Sequence, residues 1–459
     1  MVLLDETVVA VALDPMARDL DLNTAAMNRV VLVYVLALSS CVAVGGMAAR
    51  RYGLLPVFRA GAVIFALASG CCGLTPPGPA AEPCLLAARA FQGAGAALML
   101  PVATTAITHA YVADERGKAL TAYAGVAQIF FVLGPLSGAL LTQLFSWRAV
   151  FLINIPTVGV VLWALAKSRF RNHAPGEPFQ VFQPAFMVLA LAALLLSLYQ
   201  IGSWGLEDAR TVPVLSSSLV LVAVSVWVMI RAARPLLHLR ILKNRTFAVS
   251  VAVTFLVQAA QFPVLVHGAV FLRQSLHLTP LGSGVSLLPF VSALAAGTFA
   301  SGYLLESFRS IRMTVLCGLV TATLGTAAWS AALSRADYQW QIPWMVLAGF
   351  GMGMPIPALS ATMMGSVSVD DRADASVLRQ TLRQLGGAFG IAMAGALVLA
   401  ANGQRSNAAG IIKAEASVRA FVFAGVVLGA ACALAAIRLP RESGRARKSR
   451  SAPAGNHRR

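Results

Sequence analysis

The chain has 459 residues, 58% of them hydrophobic and only 12% charged, about half the charged share of a soluble domain. With a mean hydropathy of +0.75, it excludes an ordinary soluble enzyme and points to a bilayer as the solvent. The net charge of +18 does not indicate nucleic-acid binding, because Lys and Arg crowd into alternate short loops and a basic tail, the positive-inside pattern of a membrane protein.

The chain opens on "MVLLDETVVAVAL", an apolar helix over residues 1–13 that carries two acids, Asp5 and Glu6. Thirteen residues rise about 20 Å against a hydrocarbon core of about 30 Å. The first helix is therefore expected to be truncated, with translation starting roughly seven to ten residues upstream. No signal peptide is legible, since neither a basic leader nor a small-residue cleavage site is present. Full apolar spans follow at 29–49, 55–74, 84–108, 119–141, 148–167, 184–203 and 212–232. Six more lie at 246–272, 280–304, 312–333, 343–366, 375–400 and 418–438.

The loop charges alternate only if residues 1–13 count as a crossing, which places both termini in the cytoplasm. The basic stretch "RAARPLLHLRILKNRT" then divides the chain. An N-terminal six-helix bundle over 1–167 precedes two additional helices and a basic linker over 168–245. A C-terminal six-helix bundle spans 246–438, and 439–459 forms a disordered basic cytoplasmic tail. The fold class is thus all-α and polytopic, two six-helix bundles plus a central pair, an architecture used by repeat-built transporters with a site between halves. Six cysteines are scattered without metal-ligand spacing. They read chiefly as small packing residues; a disulfide between Cys72 and Cys84, which flank one external loop, is the weaker reading.

Three stretches of the N-terminal half carry chemistry. "LLAARAFQGAGAALMLP" (85–101) buries Arg89 early in a membrane helix, followed by Gln92. "GVAQIFFVLGPLSGALL" (125–141) contains Gly125, Gly134, Pro135 and Gly138. "SWRAVFLINIP" (146–156) comes next. A Gly-Pro pair inside a membrane helix removes a backbone donor and admits a close neighbour. It can bend or seal a seam between two bundles. In order, these stretches resemble the major facilitator superfamily, and within it the fourteen-helix drug:proton antiporters of the EmrB/QacA type. "LTPLGSGVSLLPF" (278–290), "GFGMGMPIPALSATM" (349–363) and "LRQLGGAFGIAMAG" (382–395) extend the likeness through the second half.

The resemblance implies a major facilitator fold and proton-coupled efflux of drugs or of amphipathic or cationic small molecules by alternating access. It also implies an antiporter role for the 125–138 motif. In that fold the first and fourth helices line one side of the cavity, and depth counting places Asp5 and Arg89 within reach of each other. A guanidinium stays charged at any physiological pH, so within the bilayer Arg89 needs water or an anionic partner. Burial opposes a charged carboxylate while Arg89 favours it, and a group held between those pulls suits proton exchange. Asp5 is the first candidate for proton coupling, with Arg89 its partner and Glu6 the second acid. A structural ion pair that never titrates is the alternative.

"GGMAARRYGLLPVF" resembles the superfamily's cytoplasmic gating signature at Gly46, Arg51 and Gly53. Arg50 stands where the family has an Asp, which puts the latch between halves in doubt. Gln92, Gln128, Gln258, Gln261 and His267 are candidate cavity-lining groups; interhelical hydrogen bonds are the competing explanation. Arg379 and Arg383 read as anchors at the cytoplasmic interface. No cofactor or metal is indicated, and no phosphate-cradling Gly-Lys-Ser loop is present. The expected partners are the small-molecule cargo, protons and membrane lipid, with a periplasmic adaptor protein as a candidate because some relatives use one. The implied location is the cell inner membrane. A metabolite transporter, an inactive relic and a polytopic membrane enzyme stand as alternatives, the last without clustered catalytic groups to support it.

Overall fold

The computed structural model describes residues 1–110, 113–167, 182–204, 208–231, 239–275, 278, 280–308, 310–335, 337–368, 371–402 and 414–439. Among the described residues, every regular element is a helix. The N-terminal helices are α1 (Val2–Asp19), α2 (Thr24–Tyr52), α3 (Leu54–Gly73), α4 (Ala81–Ala110), α5 (Ala113–Leu144), α6 (Trp147–Leu152) and α7 (Asn154–Lys167). Next come α8 (Phe182–Trp204) and α9 (Thr211–Arg231). The remainder are α10 (Arg245–Ser275), α11 (Pro280–Phe308), α12 (Ile311–Ala332), α13 (Tyr338–Gly353), α14 (Pro355–Gly365), α15 (Arg372–Asn402) and α16 (Ala414–Arg438). Eleven helical segments among the described residues are long and apolar enough to cross a membrane, and the protein is a multi-pass membrane protein. The basic linker around 232–238 and the tail 440–459 lie outside the described residues, as do the side chains of Glu6, Arg50, Gly125 and Gln128.

Proline chemistry accounts for the breaks. Pro156 has no N–H for the carbonyl of Leu152, and α6 stops at Leu152 before α7 resumes at Asn154. Pro355 and Pro357 deprive Gly351 and Gly353 in the same way, and α13 gives way to α14 at Met354. The first helix differs from its expected end. It continues past Leu13 through Asp14 and Pro15 to Asp19, because one proline near a helix end costs a single backbone bond. Its 18 residues rise about 27 Å.

Two apolar cores result. One gathers side chains from α1 to α4 and α6, such as Leu32, Phe65, Ala96 and Phe151. The other gathers α10 to α16, including Phe247, Phe290, Trp329 and Phe421. Phe262, Val266, Ala388 and Ile391 belong to the first core although they lie on α10 and α15, so these two helices form the seam. Across it, α5 packs on α11, α2 on α15 and α1 on α10. The α8–α9 pair lies against α15 and α2. Large apolar side chains such as Val160, Trp163, Leu189, Val220, Trp227 and Ile230 remain on the outer surface, which a bilayer covers.

Candidate functional site

Arg89 and Gln92 stand three residues apart on α4, on one helix face. Two close approaches confine them. A Cβ on Gly93 would press on α2, 3.0 Å from Ala37 Cβ and Leu38 N. One on Gly95 would sit 2.7 Å from Phe65 N on α3. These glycines let α4 lie against both neighbours, which is the physical content of the "RAFQGAG" run. The Arg89 side chain therefore enters a space already closed on two sides.

The result is a sealed polar cluster. Arg89 is 1% exposed and Asp5 fully buried. Arg89 Nη1 donates to Asp5 Oδ2 at 2.8 Å and to Gln92 Oε1 at 2.5 Å, while its Nε donates to the Val30 carbonyl at 3.3 Å. Gln92 Nε2 donates to Asp5 Oδ1 at 2.9 Å and to Ser69 Oγ at 2.7 Å. Asn154, placed at the first position of α7 by the break before it, donates to Asp5 Oδ1 at 3.4 Å and to Ser69 Oγ at 3.2 Å. The guanidinium lies over the Tyr34 ring, 4.1 Å from its centroid, with the Phe151 ring 5.7 Å away. The ion pair is thus direct, and surrounding donors and ring faces offset part of its desolvation.

Thr7 sits two residues beyond Asp5, about 200° around the helix, and faces α5. A Cβ on Gly134 would overlap the Thr7 hydroxyl and lie 2.9 Å from its Cβ. One on Gly138 would lie 2.7 Å from Val8 O. The opposite flank of α5 meets the second half: a Cβ on Gly284 of α11 would lie 2.5 Å from Pro135 O and 2.7 Å from Ala139 Cβ. The Gly134–Ala139 stretch is therefore wedged between the helix that carries Asp5 and the other bundle. At the opposite end of the seam, a Cβ on Gly46 would lie 2.8 Å from Val377 Cγ2 of α15. Gly53 ends α2 with φ +90°, a conformation that favours glycine. Arg51 is exposed.

The other expected groups occupy varied surroundings. Gln92 is fully buried and bonded to both members of the ion pair. Gln258, Gln261 and His267 are likewise closed off from solvent. With the Gln258 amide oriented to satisfy both of its ends, Arg383 donates to it from Nε at 3.0 Å and Nη2 at 3.2 Å, and Gln258 donates to Gln261 Oε1 at 2.9 Å. Cys72 and Cys84 are free thiols, the first buried and the second exposed. Sequence reasoning singled out neither Ser69 nor Tyr34, and met Asn154 only as part of the "SWRAVFLINIP" stretch, with no role assigned. Asn154 carried a signal nonetheless, as an amide inside the apolar run "FLINIP".

The model of the Major Facilitator Superfamily matches residues 1–391. The chain belongs to the major facilitator superfamily. It is 26% identical over 403 residues to a methylenomycin A resistance protein of Bacillus subtilis (strain 168), covering 87% of this chain and 85% of that one. It is 31% identical over 408 residues to a cephamycin export protein of Amycolatopsis lactamdurans, covering 86% and 81%. Among solved structures, it superposes on a bacterial homolog of the human lysosomal transporter Spinster, inward-facing and unoccupied. That match has a TM-score of 0.65 at 18% identity and covers 95% of this chain and 93% of that chain. A D-xylose-proton symporter matches at a TM-score of 0.63 and 14% identity, covering 96% and 95%. These two likenesses establish the major facilitator fold.

Proposed function

We propose that this superfamily member exports amphipathic small molecules in exchange for protons. In this reading, the bundles 1–167 and 246–438 alternate access across the cell inner membrane, with both termini cytoplasmic and 168–245 as the additional pair and linker. The resistance and export proteins among its relatives support export. The observation that carries the proton-coupled reading is the sealed Asp5–Arg89 pair. Arg89 keeps its charge at any physiological pH, so Asp5 is the member that can change charge.

When a proton reaches a carboxylate oxygen of Asp5, the ion pair becomes a neutral acid beside a cation. The strongest contact between α1 and α4 is then lost, while the amides of Gln92 and Asn154 remain hydrogen-bonding partners. Because α1 is clamped to α5 through Gly134 and Gly138, and α5 to α11 through Pro135 and Gly284, a shift of α1 is handed to the inter-bundle seam. Packed seams of this kind switch between discrete arrangements rather than deform smoothly. The test is efflux of fluorescent amphipathic probes from cells expressing wild type, Asp5→Asn and Arg89→Ala, with and without a protonophore. Gradient-dependent efflux by wild type that both variants lose supports the reading. Efflux unaffected by either substitution contradicts it.

A further inference from the structure

The second half holds a buried-side cluster of opposite character. Arg379 and Arg383 stand one turn apart on α15, so they share a face and repel one another. Arg383 spends two of its donors on the neutral amide of Gln258. Arg379 makes no hydrogen bond or ion pair among the described residues, where its charged or titratable neighbours are Arg383 and Tyr123. Tyr123, on α5 of the other half, is an electrostatic neighbour of both arginines. The cluster thus spans the seam between bundles. Both guanidinium side chains are half-buried, whereas Gln258 and Gln261 behind them are closed off. Neither arginine is wholly enclosed, and the pair has donors to spare.

The contrast with Arg89 is informative. There, one guanidinium is matched by one carboxylate; here, two guanidinium groups face the seam and no described carboxylate pairs with either. Two like charges inside a membrane protein are retained at a cost unless an anion joins them. A planar guanidinium fork is also the best geometric match for a carboxylate. Counted from Asp374, where the apolar span begins, Arg379 lies about 8 Å and Arg383 about 14 Å along the axis. The pair therefore leads from one side of the hydrocarbon core toward the midplane, where alternating-access transporters hold cargo.

We propose that Arg379 and Arg383, backed by Gln258 and Tyr123, receive the carboxylate of an acidic amphipathic cargo. This inference rests on the export reading and narrows it: cationic cargo, which the resemblance also allowed, is repelled by this pair. The test measures equilibrium binding, by calorimetry, of a panel of aromatic carboxylic acids and their methyl esters to the full-length protein purified in detergent. Wild type binds the acids at least ~10-fold more tightly than the esters, as expected for charge-assisted hydrogen bonds to a buried group. Arg383→Gln and Arg379→Gln each remove most of that preference and leave ester binding unchanged, while Arg383→Lys retains part of it. Arg379→Gln breaks no hydrogen bond among the described residues, so it serves if Arg383→Gln fails to fold. A wild type that binds no acid in the panel, or acid and ester equally, overturns the proposal, as does a preference that survives both Gln variants. Binding needs no proton gradient, so loss of export with an intact acid preference would count against the export reading alone.

Discussion

Neutralising one member of the Asp5–Arg89 pair should cost far more stability than neutralising both. The charges meet at 2.8 Å with neither side chain more than 1% exposed. At a charge separation of about 4 Å and an effective dielectric of about 20, their attraction is about 4 kcal/mol. Arg89→Met leaves a buried carboxylate held only by Gln92 and Asn154, and Asp5→Asn leaves a buried guanidinium on neutral acceptors. Each single change is expected to lose about 3–5 kcal/mol. The double variant leaves no stranded charge and should lose no more than about 2 kcal/mol, giving a coupling energy of about 4 kcal/mol or above. The assay is unfolding in mixed micelles by stepwise denaturing detergent, followed by helical circular dichroism for all four proteins. Additive single losses would refute the reasoning, because they would mean that the two groups do not sense each other.

Other changes have equally definite outcomes. Gly284→Ala places a methyl group 2.5 Å from Pro135 O and should cost about 1–3 kcal/mol in the same unfolding assay. Gly425→Ala, where a Cβ meets nothing within 4 Å, should be neutral or stabilising by up to about 1 kcal/mol. Gln92→Leu removes bonds to Asp5, Arg89 and Ser69, so it should destabilise more than Asn154→Ala, which removes two longer ones; thermal melts rank the two. At the end of α1, the Arg148 and Trp147 side chains donate to Asp19 and hold its carboxyl below the ordinary value of 3.8. A lowered folded-state value contributes stability that is fully present above pH 3.8 and is lost as pH falls through the folded value. Asp19→Asn should therefore flatten the acid limb of a stability–pH profile and leave its slope near neutrality unchanged.

Apolar run length was legible from the sequence because a bilayer core sets it, and each expected span corresponds to one helix or one proline-broken pair. The break positions were less legible: prolines end, kink or merely dent helices, and Pro15, Pro135 and Pro263 lie inside helices that continue. Asp5 and Arg89 were singled out because charge inside a membrane is costly and a depth count places both at similar heights. Depth says nothing of direction around a helix, so the bonds of Gln92 to the ion pair and of Arg383 to Gln258 were not legible. Asn154 was hidden for a further reason, since its role depends on a helix break that lets it point across to Asp5. The glycines of α5 were recognised as a close-packing surface, but which helices they admit is a tertiary fact that no local pattern contains.

The central claim is that Asp5 carries the proton exchanged for cargo, and proton release on cargo binding tests it most directly. The purified protein, in weakly buffered detergent with a pH indicator, is mixed with an amphipathic probe that wild type exports. The account predicts release of about one proton per bound probe by wild type, and none by Asp5→Asn that still binds the probe. Equal release by the two proteins would contradict it.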